Sequence, residues 1–178
     1  PYTITNATNN YGPCQTPEKL IPLVIMKLLN EEKIPVYGKG DNVREWLYVD
    51  DHSCAVWEVL SCGKQGSSYN AGSKDRVQNI DLIHMLGKES AKQLDRDPDY
   101  YKDLITYVTD RPGHDKRYAL ESTKIRTELD WKQQDPLEKG IEKTVAWYLD
   151  NTAWVERARE RIKSWLESEG TTWAKIKQ

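Results

Sequence analysis

A chain of 178 residues, 30% of them charged and with a formal net charge of −2, has no general electrostatic pull toward nucleic acid or an anionic membrane. It has the length of one domain, and no apolar run reaches the length of a membrane span or forms a secretory leader. Three cysteines without a CxxC spacing and three scattered histidines argue against a disulfide framework and a metal centre, so a reducing, cytoplasmic setting is expected and no metal ligand is named. The chain opens on Pro1, not Met, and is read as an excised or processed piece; it holds no Phe beside seven Trp and ten Tyr.

In chain order, Pro1 to Thr8 is rich in β-formers and reads as a strand, followed by a turn-rich loop from Asn9 to Gln15. Thr16 as N-cap and Pro17 at the first helical position predict a helix over 17–30, with Leu20, Leu23, Val24 and Leu28 as its apolar stripe. Ile34 to Tyr37 is a short strand closed by Gly38-Lys39-Gly40, and Glu45 to Val49 is another. Asp50 is expected to cap a helix to about residue 61 that turns Ala55, Val56, Val59 and Leu60 inward. Ser68 to Ala71 is a strand, Asn79 caps the next helix, and the charged stretch 87–103 reads as a surface segment. Leu104 to Val108 is a strand that runs into Asp110-Arg111-Pro112-Gly113-His114. Ser122 caps 123–130, while Asp135, Pro136 and Glu138 open a helix with Ile141, Val145, Tyr148 and Leu149 on one face. A final helix keeps Val155, Ala158, Ile162, Trp165 and Leu166 in register. Alternating strands and helices predict an α/β or α+β domain.

Three loops carry functional chemistry. Asn9-Asn10-Tyr11-Gly12-Pro13 follows a strand and precedes a helix, where α/β folds tend to bind ligands, and its two amides can donate and accept; an ordinary turn uses the same residues. Arg44 beside a strand suits bidentate phosphate recognition, and equally a surface ion pair. Asp110 to Arg117 packs three fixed positive charges and His114 around a Pro-Gly turn, which suits a diphosphate or a solvated loop. Nucleophile elbow, Walker loop and Gly-rich dinucleotide fingerprint are absent, and no Tyr has a Lys four residues on, so no catalytic residue is assigned.

Taken together, Asn9-Asn10-Tyr11-Gly12-Pro13, Pro17-Glu18-Lys19-Leu20-Ile21-Pro22-Leu23, Pro35-Val36-Tyr37-Gly38, Val43 to His52, Tyr69-Asn70, Arg111 to Asp115 and Lys143 to Leu149 resemble dTDP-glucose 4,6-dehydratases in order and spacing, from about residue 3 to about 155. Those enzymes belong to the extended short-chain dehydrogenase/reductase superfamily. The resemblance implies an α/β fold of short strands with several helices, the smaller C-terminal substrate domain of that architecture, plus one strand left from the Rossmann sheet. It divides the chain into a residual Rossmann strand and loop (1–16), a nucleotide-sugar-binding domain (17–155) and a helical tail (156–178). In the family a tyrosinate helps oxidise the sugar at C4 with NAD, an acidic pair assists loss of water, and hydride returns to C6.

The resemblance also implies roles. Asn9 would contact the substrate diphosphate region and Asn10 the NAD; Lys19 and Leu20 would line the nucleotide pocket; Pro35, Val36 and Tyr37 would lie along the thymine. Arg44 would grip the diphosphate with Asn79 nearby, and Asp110, Arg111, Pro112, Gly113 and His114 would close over the nucleotide. The pattern departs at Cys14 and Thr16, where aromatic residues are usual, at Leu137 in place of Phe, and at Lys116 in place of Arg. The family's Gly-rich loop, Tyr-x-x-x-Lys pair and acid/base carboxylates would lie upstream of Pro1. The chain alone is therefore expected to bind a dTDP-sugar without turnover and to hold no NAD by itself. It is expected to pair with a separate N-terminal Rossmann half or to self-associate through its residual strand. A fragment of another nucleotide-sugar epimerase or dehydratase, or a redesigned non-catalytic scaffold, are the competing readings.

Overall fold

The computed structural model describes residues 1–168, with side chains placed through residue 164. Strands β1 (Ile4–Ala7) and β2 (Asn9–Tyr11) lead to helix α1 (Leu20–Leu29), then β3 (Ile34–Tyr37), β4 (Val43–Tyr48), α2 (Val49–Cys62), β5 (Ser68–Ala71) and β6 (Arg76–Gln78). Helix α3 (Asn79–Gln93), β7 (Ile105–Val108), β8 (Arg117–Tyr118), α4 (Thr123–Glu128), α5 (Leu137–Asp150) and α6 (Thr152–Ser168) complete an α/β domain. The strands form three small sheets. β1 pairs with β5 and β3 with β7, both parallel, while β4 takes β2 and β8 in parallel and β6 antiparallel.

β4 organises the interior because its residues are buried on both faces. Trp46 and Tyr48 enter the larger core with Tyr11, Ile21, Ile25, Leu82, Ile141 and Tyr148. Leu47, facing the other way, enters a smaller core with Ala55, Val59, Tyr69, Ile125 and Trp131. The period-2 alternation of a strand thus assigns neighbouring residues to different cores. Helix α5 closes on β2 through a side-chain contact that only glycine allows: the Tyr11 hydroxyl sits against the Cα of Gly140 and donates to the Leu137 carbonyl at 3.3 Å. Burial there pushes the Tyr11 hydroxyl far above its usual range, with the carboxylate of Asp75 adding to the effect.

Several local expectations shift. Asn9 to Tyr11 is strand, not loop, because β4 supplies a partner 37 residues on, with Asn9 facing Trp46. Helix α1 begins at Leu20: Thr16 turns its hydroxyl to Glu18 at 2.8 Å and its carbonyl to Lys19 N–H at 3.1 Å, so 17–19 form a separate turn. Asn79 is the first residue of α3, not its cap, and α4 receives its carboxylate cap from Glu121, which accepts from Thr123 N–H at 2.8 Å, while Ser122 donates to the Gly72 carbonyl. Asp50 is not the cap of α2; its neighbour Asp51 is buried and accepts from the Gln134 and Asp135 N–H groups at 2.8 and 3.0 Å, tying α2 to the entry of α5. Asp135 is itself no cap, but the partner of Lys139 and Lys143 at 2.8 and 2.7 Å. The stretch 87–103 is not simply surface: Gly87, Ser90 and Ala91 are buried against neighbouring helices, and Tyr101 packs its ring on Gly87. Val56 and Leu60 point outward on α2, contrary to the expected inward face; only Ala55 and Val59 of that set are covered. Trp165 and Leu166 lie outside the described side chains.

Candidate functional site

The connection Gly38–Asn42 is the hub of the site. Gly38 and Gly40 both take positive φ, +57° and +71°, a backbone that side chains strain to adopt. This turn lets β3 end against two other segments, the end of β7 and the start of α3. Gly38 N–H donates to the Val108 carbonyl at 2.9 Å, Ile80 N–H to the Gly40 carbonyl at 3.0 Å, and Asn79 N–H to the Asn42 carbonyl at 3.0 Å. The parallel β3–β7 pair, with Tyr37 opposite Val108, delivers the Asp110–His114 loop beside Pro35 and Tyr37. Ile34 and Val36 point into the core, and Pro35 and Tyr37 point out. Val36 can therefore reach a ligand only through its main chain.

Arg44 follows on β4 and is 8% exposed. Its guanidinium donates to the Val43 carbonyl at 2.8 Å and to the Asp115 carbonyl at 2.7 Å; Asn42 Nδ2 donates to the same Asp115 oxygen at 3.2 Å. The arginine therefore moors the end of the cationic loop as well as placing positive charge at its base. Within that loop the His114 Nδ1 lies 2.8 Å from Asp110 Oδ1, and the Arg111 N–H donates to the same oxygen at 2.8 Å. The His114 hydrogen bond and the Arg111 N–H hold the Asp110 carboxyl below its usual range. Arg111, Pro112 and Gly113 are exposed at the loop tip. Arg117 opens β8 opposite Val43, on the face of β4 that carries buried Glu45 with its partially exposed partner Arg76, while the Lys116 carbonyl accepts from Val43 N–H at 2.8 Å.

Buried polar atoms left without a partner mark where chemistry is unfinished, since each costs about 1–3 kcal/mol. Thr8 Oγ1, Asn10 Oδ1, Gln15 Oε1, Trp46 Nε1 and Asn79 Oδ1 are such atoms among the described residues. Four of them cluster by sequence and pairing around β2, with Asn10 opposite Leu47 and Asn9 opposite Trp46. Asn10 Nδ2 donates to the Thr8 carbonyl at 3.2 Å, and Gln15 Nε2 to the Asn10 carbonyl at 2.8 Å, which leaves both amide oxygens facing no donor. Sequence reading named Asn10 and Asn79; it missed Thr8, Gln15 and Trp46, whose only signal was adjacency to the Asn-Asn pair or to Arg44.

The structure thus brings Pro35, Tyr37, Arg44, Asn79 and Asp110–His114 to one region around the Gly38–Asn42 hub. Asn9 and Asn10 sit further along the same sheet on β2, where the side chain of Asn9 makes no hydrogen bond among the described residues. Leu20 packs on the edge of the larger core. Lys19 is exposed and pairs with Glu18 at 3.8 Å, without joining the other candidates. No group of His, Cys, Asp and Glu among the described residues has metal-binding geometry, and no described helix is long and apolar enough to cross a membrane. For NAD, the unpaired Asn10 amide oxygen fits one contact, but the Gly-rich loop that would cradle a dinucleotide diphosphate is not in this sequence.

Known proteins resemble this chain in sequence and in fold. The chain is 47% identical over 164 residues to a probable dTDP-glucose 4,6-dehydratase of Sinorhizobium fredii, covering 92% of this chain and 47% of the relative. It is 48% identical over 168 residues to the dTDP-glucose 4,6-dehydratase of Shigella flexneri, covering 94% and 46%. Among solved structures, the dTDP-glucose 4,6-dehydratase of Streptomyces venezuelae with NAD and TYD bound superposes with a TM-score of 0.79 at 40% identity, over 88% of this chain and 46% of that one. The chain spans about half the length of the relatives it matches. A family model described as GDP-mannose 4,6 dehydratase matches residues 1–144, and the chain therefore belongs to that family of nucleotide-sugar dehydratases.

Proposed function

We propose that this chain is the nucleotide-sugar-binding portion of an NAD-dependent dTDP-glucose 4,6-dehydratase, and that it binds without turning over. The observation that carries the reading is the convergence of Arg44, Asn79 and the Asp110–His114 loop on the Gly38–Asn42 hub, with the Asn79 amide oxygen buried and unpaired. Arg44 supplies fixed positive charge and a planar donor fork for a diphosphate. Pro35 and Tyr37 present an outward, largely apolar strand edge suited to a base, and the exposed loop tip Arg111–Gly113 closes over it. Asn9 supplies a free amide toward the sugar-diphosphate side. The NAD and the acid/base groups come from a further Rossmann-type half, toward which Asn10 contributes one contact. Product formation, the 4-keto-6-deoxy sugar, requires both parts.

Calorimetric titration with dTDP, UDP and GDP tests the reading. Selective heat with dTDP, even at high micromolar affinity, supports it. Preference for UDP or GDP reassigns the nucleobase, and no heat with any of the three, from a folded sample, leaves only an inherited scaffold.

A further inference from the structure

The connection from β5 to β6 and the run from β8 to α4 enclose a cavity of about 370 Å³ that shares no lining residue with the Gly38–Asn42 hub. Lys74 and Arg76 line one side and Arg117 the other. Ala119 and Leu120 give it an apolar wall, and Glu121 is the single carboxylate of the lining. On a chain whose formal net charge is −2, this concentration of positive charge is local and does not follow from composition.

The fold places these cations. Glu45 is fully buried and lies against Gly72, where any side chain would strike its Oε1. It accepts from Arg76 Nε at 2.8 Å and from Lys74 N–H at 3.4 Å. The buried carboxylate therefore fixes the guanidinium by one edge, while Nη2 donates to the Leu120 carbonyl at 3.4 Å and Nη1 has no partner among the described residues. Lys74 and Arg117 are exposed and make no ion pair among the described residues. Glu121 pairs with neither: its Oε1 accepts from Thr123 N–H at 2.8 Å and from the Thr123 hydroxyl, at the start of α4. The groups free to turn toward a ligand are thus both cations. Arg117 lies opposite Val43 and Arg76 opposite Glu45 in their pairs with β4. Side chains alternate along a strand, so both stand on the Glu45 face of β4 and Arg44 on the other.

We propose that this cavity is a second anion site, one that takes a phosphate monoester, with the phosphate among Lys74, Arg76 and Arg117 and the organic part against Ala119 and Leu120. A phosphate needs several charged donors in one place, and a guanidinium held by its far edge supplies two of them without losing side-chain freedom on binding. The volume lies in the range of small-molecule sites, about 300–1,000 Å³, and leaves room for more than the phosphate. The site uses no residue of the nucleotide reading and does not depend on it.

Amide and arginine side-chain NMR tests the proposal, during titration with phenyl phosphate and with inorganic phosphate at an ionic strength held constant with sodium chloride. The expected result is saturable shifts at Lys74, Arg76 and residues 117–121, with phenyl phosphate the tighter of the two. A Lys74→Gln/Arg117→Gln double variant, altered only at exposed positions, should bind phenyl phosphate about tenfold more weakly or worse, with an unchanged urea midpoint. Lys74→Gln/Arg117→Lys, which returns one charge, should recover part of the affinity. Shifts that fail to saturate reduce the cavity to general screening and overturn the site. So do shifts confined to residues 38–44 and 110–115, which would give the anion to the nucleotide region. Affinity that survives the double variant, or that the lysine fails to restore, also overturns it. Equal affinity for the two probes overturns the monoester.

Discussion

Replacing Arg44 by Ala separates its two roles in the structure. The guanidinium donates to the Val43 and Asp115 carbonyls at 2.8 and 2.7 Å from a position that is 8% exposed. Hydrogen bonds to a charged partner contribute about 1.5–3 kcal/mol each in such settings, and the Asp115 oxygen keeps a second donor in Asn42. The fold should therefore lose roughly 1.5–3 kcal/mol rather than twice that, read as a lower urea midpoint at unchanged slope. Nucleotide binding should weaken by a further ~1.5–3 kcal/mol, about 10- to 150-fold in Kd, because the diphosphate loses its fixed cation. Arg44→Lys distinguishes the two effects: it keeps the charge without the planar fork, so it should recover part of the affinity and little of the mooring. The assays are urea denaturation and dTDP calorimetry on all three proteins. An Arg44→Ala variant that binds dTDP as tightly as the parent would refute the phosphate role. Equal losses in Ala and Lys variants would show that Arg44 acts through loop placement alone.

Four further outcomes are expected. Asn79→Leu removes a buried amide oxygen without a partner, so stability should hold or rise by up to about 1 kcal/mol while dTDP affinity falls; a clear loss of stability would show that the amide is satisfied in the folded chain. Gly140→Ala places a methyl where the Tyr11 hydroxyl sits and should cost about 1–3 kcal/mol by thermal or urea unfolding, with Gly140→Ala/Tyr11→Phe recovering part of it. Asp51→Ala strips two N–H groups of their shared acceptor and should cost roughly 3 kcal/mol, seen as faster amide exchange at Gln134 and Asp135. The Asp110 carboxyl is held low by His114, so its contact is fully present above the ordinary carboxylate range, about pH 4, and is lost as pH falls through the depressed value; loop-tip proton resonances of Arg111 to Gly113 that are unchanged from pH 6 to pH 2 would contradict this.

The long-range pairs explain why parts of the site were hard to see in advance. β2, β6 and β8 are three, three and two residues long, and each exists because β4 offers it backbone partners from elsewhere in the chain. Short segments such as Arg76–Gln78 carry too little pattern to read as strands on their own. The caps failed for a related reason. Asp50 and Asp135 look like local cap residues, but it is the neighbouring Asp51 carboxylate that is buried, accepting from Gln134 and Asp135 N–H across the fold, while Asp135 pairs with Lys139 and Lys143 along α5. Ile34 to Tyr37 and Ser68 to Ala71 were legible to the residue, because β-branched and aromatic side chains lie between clear turn signals.

By itself the sequence determined the α/β order of elements, the Gly38–Gly40 turn, and a set of amide, guanidinium and loop residues whose order and spacing resemble one enzyme family. Those are properties of local chemistry and of motif spacing. Only the tertiary structure decided that Val36 faces the core while Pro35 and Tyr37 face out, and that Arg44 moors Asp115. It also separated Arg117 from the cationic loop and left Val56, Trp57 and Leu60 bare on α2. A strand or helix assigns its side chains to faces by periodicity, but which face is covered depends on partners distant in the chain, and local pattern carries no record of them.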